Sequence, residues 1–172
     1  MESEMATAQF KDAIAMLKAD HRKVEELFEQ FQSARGSERK RKLALSVCAE
    51  LKIHTLLEEE IFYPAFRERI ENDVLEEAQV EHDGTKVLIN DLDKGGPSQE
   101  YYDAKVTVLS ELVKHHVKEE EKSGSGIFAQ CKKTDVDLVE LRDQMMTRKK
   151  ELLAEEKSTG LPAAVPKAVG VL

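Results

Sequence analysis

Residues 53–64 read IHTLLEEEIFYP. His54 and Glu58 stand four residues apart, so on an α-helix they stack on one face. An imidazole and a carboxylate so placed can grip one cation, or the carboxylate can bridge two. Residues 115–121, HHVKEEE, repeat the arrangement with His116 and Glu120. His21 and His82 each sit alone in another segment of helical periodicity. The pattern predicts four helices whose imidazoles and carboxylates meet in the middle.

The apolar seams support that reading. Over 7–33 the seam is Phe10, Ile14, Leu17, His21, Val24, Phe28 and Phe31, with steps alternating between four and three. Over 38–70 it is Val47, Leu51, His54, Glu58, Ile61 and Ala65. Pro64 lies inside this second pattern and predicts a kink or pause near Glu60. Over 73–91 the seam is Leu75, Ala78, His82, Thr85 and Ile89, with Leu92 just beyond. Over 99–122 it is Tyr102, Val106, Leu109, Val113, His116 and Glu120. Gly36, the run DKGGPSQ at 93–99 and SGSG at 123–126 separate these segments, with Ser37 and Ser98 as candidate helix caps. After a short turn at 127–133, a fifth helix is expected over 134–156, with Leu138, Leu141, Met145 and Leu152 on one face. Residues 157–172 carry no period and are expected to be a disordered tail.

Composition narrows the function classes. Charged residues make up 35% of the 172 and aromatics 5%, with no Trp, which suits long amphipathic helices. A net charge of −8 argues against nucleic acid or an anionic membrane as partner. The one basic run, 35–42, is short and reads as a solvated terminus. No apolar run approaches the roughly 20 residues that span a bilayer. The N-terminal MESEMATAQF lacks the apolar core of a signal peptide, so a cytoplasmic protein is expected. Cys48 and Cys131 lack metal-type spacing and read as reduced structural thiols.

A single histidine on an apolar seam is ordinarily a satisfied core residue. Four of them on four seams, with two carboxylates at matched spacing, would cost several kcal/mol each if uncompensated. A cation uses their lone pairs and removes the cost. Imidazole with carboxylate suits iron, zinc, manganese or copper, and two bridging carboxylates suggest a two-metal centre. The Glu-x-x-His pairs of ferritin-type bundles are missing, because Lys18, Leu51, Gln79 and Val113 stand three residues before the seam histidines.

Four stretches together resemble the hemerythrin-like HHE cation-binding domain: DHRKVEELF around His21, HTLLEEEIFYP around His54, EEAQVEHDGTKVLINDL around His82 and LVKHHVKEEE around His116. The resemblance covers roughly 10–130. The later LRDQMMTRKKELLAEE is similar to the helix that often follows the domain in bacterial members. The resemblance implies an all-α, up-down four-helix bundle, so the chain is expected to divide into that domain over 7–133, an accessory helix over 134–156 and the aperiodic tail over 157–172. It implies a non-haem di-iron centre, with zinc or manganese as other possible occupants. The ligands it implies are His21, His54, Glu58, His82, His116 and Glu120, with Glu58 and Glu120 bridging.

Two departures stand out. Respiratory hemerythrins have a second histidine one turn after the first on the third helix, and Lys86 holds that place here. Four imidazoles and two carboxylates then give each ion about two nitrogens and two bridging oxygens. An added oxo or hydroxo bridge would leave roughly one open position per ion of an octahedral shell for a small ligand. Lys86 itself is expected to point outward. The second departure is KSGSGIF after Glu121, expected to be simple loop variation. His115 cannot share the face of His116 and is expected at the surface. Glu59, Glu60, Glu119 and Glu121 read as solvated faces, with Glu59 the best placed to support a ligand. Tyr63 and Tyr102 can both approach the centre.

The expected function is binding or processing of a small oxidant (oxygen, nitric oxide or peroxide), in stress response or repair of iron centres. The alternative is metal storage, or a structural metal site without redox turnover. No output domain of a sensor is legible, and a monomer or homodimer is expected.

Overall fold

Asp12 starts the first helix. Its carboxylate accepts the backbone N–H of Ala15 at 2.8 Å, satisfying one of the free donors of the first turn. The structure, a computed structural model, describes residues 9–170. In chain order it contains α1 (Ala13–Ser33), α2 (Ser37–Leu57), a π-helical turn (Glu58–Phe62), the short α3 (Tyr63–Phe66), α4 (Asn72–Lys94), α5 (Tyr102–Glu121), the short α6 (Ile127–Cys131) and α7 (Leu138–Ser158). Around an up-down four-helix bundle, α1 packs on α2, α2 on α4, α4 on α5 and α5 back on α1. No strand occurs among the described residues, and none of their helices is long and apolar enough to cross a membrane.

The helix starts differ from expectation in instructive ways. The expected start of α1 at Thr7 lies outside the described residues, and Asp12 caps the helix later. Ser37 is the first residue of α2 and not its cap. The cap is Gly36, whose φ of 86° is open to glycine at no steric cost. Ser98 does not cap α5, which begins after Tyr101. Asp137, not Thr134, opens α7, accepting the N–H groups of Val139 and Glu140 at 2.9 and 3.0 Å.

The pause expected near Glu60 is the π-helical turn. Pro64 has no N–H to return to the Glu60 carbonyl, so the ladder cannot continue unchanged. The Tyr63 N–H instead bonds to the Glu58 carbonyl, five residues back. The extra residue shifts the seam by one. Phe62 and Phe66 are fully buried, while Ile61 and Ala65, the expected seam positions, are half-buried.

The polar seam residues divide the core in two. One apolar cluster contains Leu17, Leu57, Phe62, Phe66, Phe128 and Met145. The other contains Val24, Phe28, Leu51, Ile89, Leu109 and Val113. His21, His54, His82 and His116 form a layer between them. The accessory helix α7 closes the first cluster, packing on α1 and α2. Its Arg142 donates to the carbonyls of Phe10 and Lys11 at 2.9 and 3.2 Å.

The C-terminal residues do more than the expected disordered tail. The helix runs through Ser158, and the chain then returns along α4. Ala164 and Asn90 exchange two hydrogen bonds of 2.8 Å. Lys167, Ala168 and Val169 donate backbone N–H groups to Asp83. Such side-chain-to-backbone pairing leaves no hydrophobic period, so the sequence pattern does not reveal it.

The shifted seam has a measurable consequence. Phe62→Ala is expected to cost about 3–5 kcal/mol in chemical denaturation, and Ile61→Ala less than half as much. Equal costs would place the unshifted seam in the core.

Candidate metal centre

The layer of histidines is built from the i, i+4 pairs and completed across the bundle. His21, His54, Glu58 and Glu120 each offer one atom within 4.8 Å of the others, and Glu58, His82 and His116 form a second such group. Glu58 belongs to both. All six side chains are buried, and the two carboxylates have no exposure at all.

The Nε2 atoms all face inward. His21 and His54 bring theirs to 3.2 Å, and His82 and His116 to 3.1 Å. The carboxylates span the two pairs. Glu58 places Oε1 at 3.2 Å from His54 and Oε2 at 3.0 Å from His82. Glu120 places Oε2 at 3.1 Å from His21 and Oε1 at 3.5 Å from His116.

Two observations test whether a cation fits. Glu58 Oε1 and Glu120 Oε2 are buried without a hydrogen-bond partner, although an imidazole nitrogen lies near each. The lone pairs therefore aim at shared points rather than at one another. Donors each about 2.1 Å from one ion lie about 3.0 Å apart at a right angle, close to the 3.0–3.2 Å between neighbouring donors of each group. The donor set, imidazole and carboxylate without thiolate, suits a borderline transition metal.

The outward nitrogens are equally ordered. Every Nδ1 donates to a carboxylate from the neighbouring helix or turn. His21 is backed by Glu121 at 2.7 Å and His54 by Asp20 at 3.4 Å. His82 is backed by Glu59 at 2.9 Å and His116 by Glu81 at 2.5 Å. A backing carboxylate fixes the tautomer that leaves Nε2 free to coordinate and raises its basicity.

A match to known proteins joins this geometry. The family model of the hemerythrin HHE cation binding domain matches residues 12–123, well over half of the chain. The chain belongs to the hemerythrin HHE cation-binding family. Its fold is similar to the crystal structure of a hemerythrin HHE cation binding domain-containing protein from Mycobacterium kansasii. The TM-score is 0.71 at 23% identity, covering 88% of this chain and 96% of that one. A search of the curated proteins found no match.

Within this hemerythrin HHE domain, the support residues are what the sequence reading mostly missed. Glu59, the acid best placed for a supporting role, pairs with the His82 ring. Glu121 was expected on a solvated face, yet it holds His21. Asp20 and Glu81 were not singled out. A signal for all four exists, because each support is the sequence neighbour of a residue of the central cluster: Asp20 of His21, Glu59 of Glu58, Glu81 of His82 and Glu121 of Glu120. On a helix, adjacent residues diverge by about 100°, so one can enter the core while the next reaches the adjacent helix.

Lys86 corrects a second expectation. It does not point outward: it is 3% exposed, and Nζ lies 2.8 Å from Glu59 and 3.3 Å from Asp83. The C-terminal segment covers it. His115 is at the surface as expected, with Nε2 3.2 Å from Glu81. Of the two tyrosines, Tyr63 reaches the centre. Its hydroxyl donates to Glu120 at 2.6 Å and lies 3.4 Å from the Nε2 atoms of His82 and His116. Tyr102 packs against Phe31 in the far cluster.

Charge follows from this layout. Burial alone would lower His21, His54 and His116, but the carboxylates overcome it. Glu120 and Glu121 raise His21, Glu58 and Asp20 hold His54 well above its usual range, and Glu120 and Glu81 push His116 up to about 10. Burial would raise Glu120, yet His116 and His21 hold it well below the ordinary carboxylate range. Burial and the two carboxylates push the Tyr63 phenol well up, so it stays a donor. Among the supports, burial would raise Asp20 and Glu59. Partners including His54 and Lys149 bring Asp20 down to about 2, and His82 and Lys86 bring Glu59 to about 2.

The pH dependence of metal-depleted protein follows. Depressed carboxyls contribute stability that is present above their ordinary values near 3.8 and 4.5 and lost as pH falls toward 2. The raised imidazole contributes stability that is full below 6.5 and lost as pH climbs toward 10. Thermal melting should therefore weaken at both edges. Because protons compete with a cation for the same nitrogens, cation affinity should rise with pH across this range, with proton release in calorimetry. A pH-independent affinity would contradict the assignment of the nitrogens.

Proposed function

We propose that this chain is a non-haem di-iron protein that binds or processes a small oxidant. The observation that carries the reading is the pair of His–His groups spanned by Glu58 and Glu120, every imidazole backed by its own carboxylate. His21 and His54 would hold one ion and His82 and His116 the other, with both glutamates shared. Iron bound there would supply electrons and Lewis acidity for oxygen, nitric oxide or peroxide.

The chain's own residues suit small guests. A cavity of about 20 Å³ adjoins the four imidazoles and is otherwise walled mainly by Val24, Leu51, Val113 and Val117, with Asp20, Thr55 and Thr85 at its margin. One water needs roughly 10–15 Å³, so the space suits a guest of about two or three heavy atoms. Its apolar wall favours an uncharged guest. The Tyr63 hydroxyl approaches from the carboxylate side and holds a proton at Oη, hydrogen-bonded to Glu120. The alternative, a storage or purely structural metal, does not call for a cavity beside the nitrogens. An intracellular setting accompanies the reading, supported by Cys48 and Cys131, which are buried and unpaired.

Anaerobic iron loading followed by oxygen should produce the absorption of a bridged ferric pair, near two irons per chain. Glu58→Gln or Glu120→Gln should abolish the pair spectrum. Val24→Ile or Val113→Ile, which fill the cavity, should slow reaction with oxygen while leaving iron content unchanged. Iron-loaded protein inert to oxygen, nitric oxide and peroxide would favour the structural role.

A further inference from the structure

The four carboxylates behind the imidazoles are not held alike. Glu121 and Glu81 have 21% and 28% of their side chains exposed. Asp20 is tied to Lys149 of α7 at 2.5 Å. Glu59 is enclosed, with its side chain 2% exposed. Its Oε1 faces His82 Nδ1 at 2.9 Å, Gln79 Nε2 at 3.0 Å and Lys86 Nζ at 2.8 Å. Its Oε2 faces Lys167 Nζ at 3.1 Å.

Lys86 and Lys167 both depend on the segment 161–170. Consecutive N–H groups of Lys167, Ala168 and Val169 converge on the Asp83 carboxylate, at 3.0, 2.6 and 2.8 Å. Such a run of N–H groups makes an anion-binding concavity. Here the anion is on the chain's own α4, one residue after His82. The Val165 carbonyl accepts from Lys86 at 2.9 Å, and Ala164 is paired both ways with Asn90. A buried ammonium is costly unless ringed by acceptors, and this segment supplies one of them. None of these bonds reaches His21 or His54.

We propose that residues 161–170 are a strap that positions the His82 half of the metal centre. Asp83 anchors the strap, Lys167 and Lys86 clamp Glu59, and Glu59 holds the His82 ring with Nε2 turned inward. Asp83, Lys86 and Lys167 are positioning residues that act through Glu59. The effect on metal rests on the di-iron reading above, whereas the docking of the strap does not.

Two assays on full-length protein separate these claims, using Asp83→Asn, Asn90→Ala and Lys167→Gln. Lys167 is on the strap and half-exposed, so its variant leaves the bundle intact even should changes in α4 impair folding. In the first assay, metal-depleted protein is treated with an amine-acylating reagent and the sites are read by mass spectrometry. Lys86 should react roughly tenfold or more slowly than exposed Lys157, and the Asp83 and Asn90 variants should erase most of that protection. Equal Lys86 rates in parent and variants overturn the strap. In the second, ferrous iron is titrated anaerobically. The Asp83 and Lys167 variants should bind the first ion as the parent does and the second about tenfold more weakly. Both ions weakened equally, or neither, overturns the positioning role while the di-iron reading stands. A parent that takes up no cation sinks the di-iron reading and the positioning role together.

Discussion

Glu58 and Glu120 carry two carboxylates into the centre of an apolar bundle, where water does not reach them. Removing such charges from water is among the most expensive things a fold can do. Four imidazoles stand against them, and a cation between the groups would use the lone pairs left without partners. The rest of the architecture serves that meeting. Each of the four bundle helices contributes one nitrogen at the same depth, and apolar clusters above and below exclude solvent from the layer.

The two sides of the layer differ in character. Toward one cluster lies the small apolar cavity, and toward the other lies the phenol of Tyr63. Tyr63 owes its place to the π-helical turn. With the ordinary 3.6-residue period the seam passes through Ile61, and the ring of Tyr63 would be carried out of register with Glu58. The extra residue aims Glu58, Phe62 and Tyr63 inward together. A π-helical turn at a functional carboxylate is a recurring use of this irregularity.

Much of this is legible in the sequence. The heptad-like seams of α1, α4 and α5 run through their histidines, so the helices and their inward faces could be read from periodicity. The resemblance then implied a candidate ligand set, and those six side chains do meet in one buried layer. Other features depend on interactions that leave no period. Pro64 signalled an irregularity without saying that it would shift the seam. Lys86 looked exposed because its cover comes from a segment some eighty residues away that has no apolar repeat. Glu121 read as part of a solvated face and Asp20 and Glu81 drew no reading at all, because their role is visible only once the neighbouring helix is known.

Those supports also have an order among themselves. The nitrogen on α1 is backed from α5, that on α2 from α1, that on α4 from the turn after α2, and that on α5 from α4. The sequence of debts therefore runs once around the bundle and closes. Each rod lends an anion to one neighbour and borrows one from the other. None can twist about its own axis without disturbing both its own nitrogen and the next rod's. The four act as a torsional interlock, so that a disturbance at one corner is shared by the whole circle.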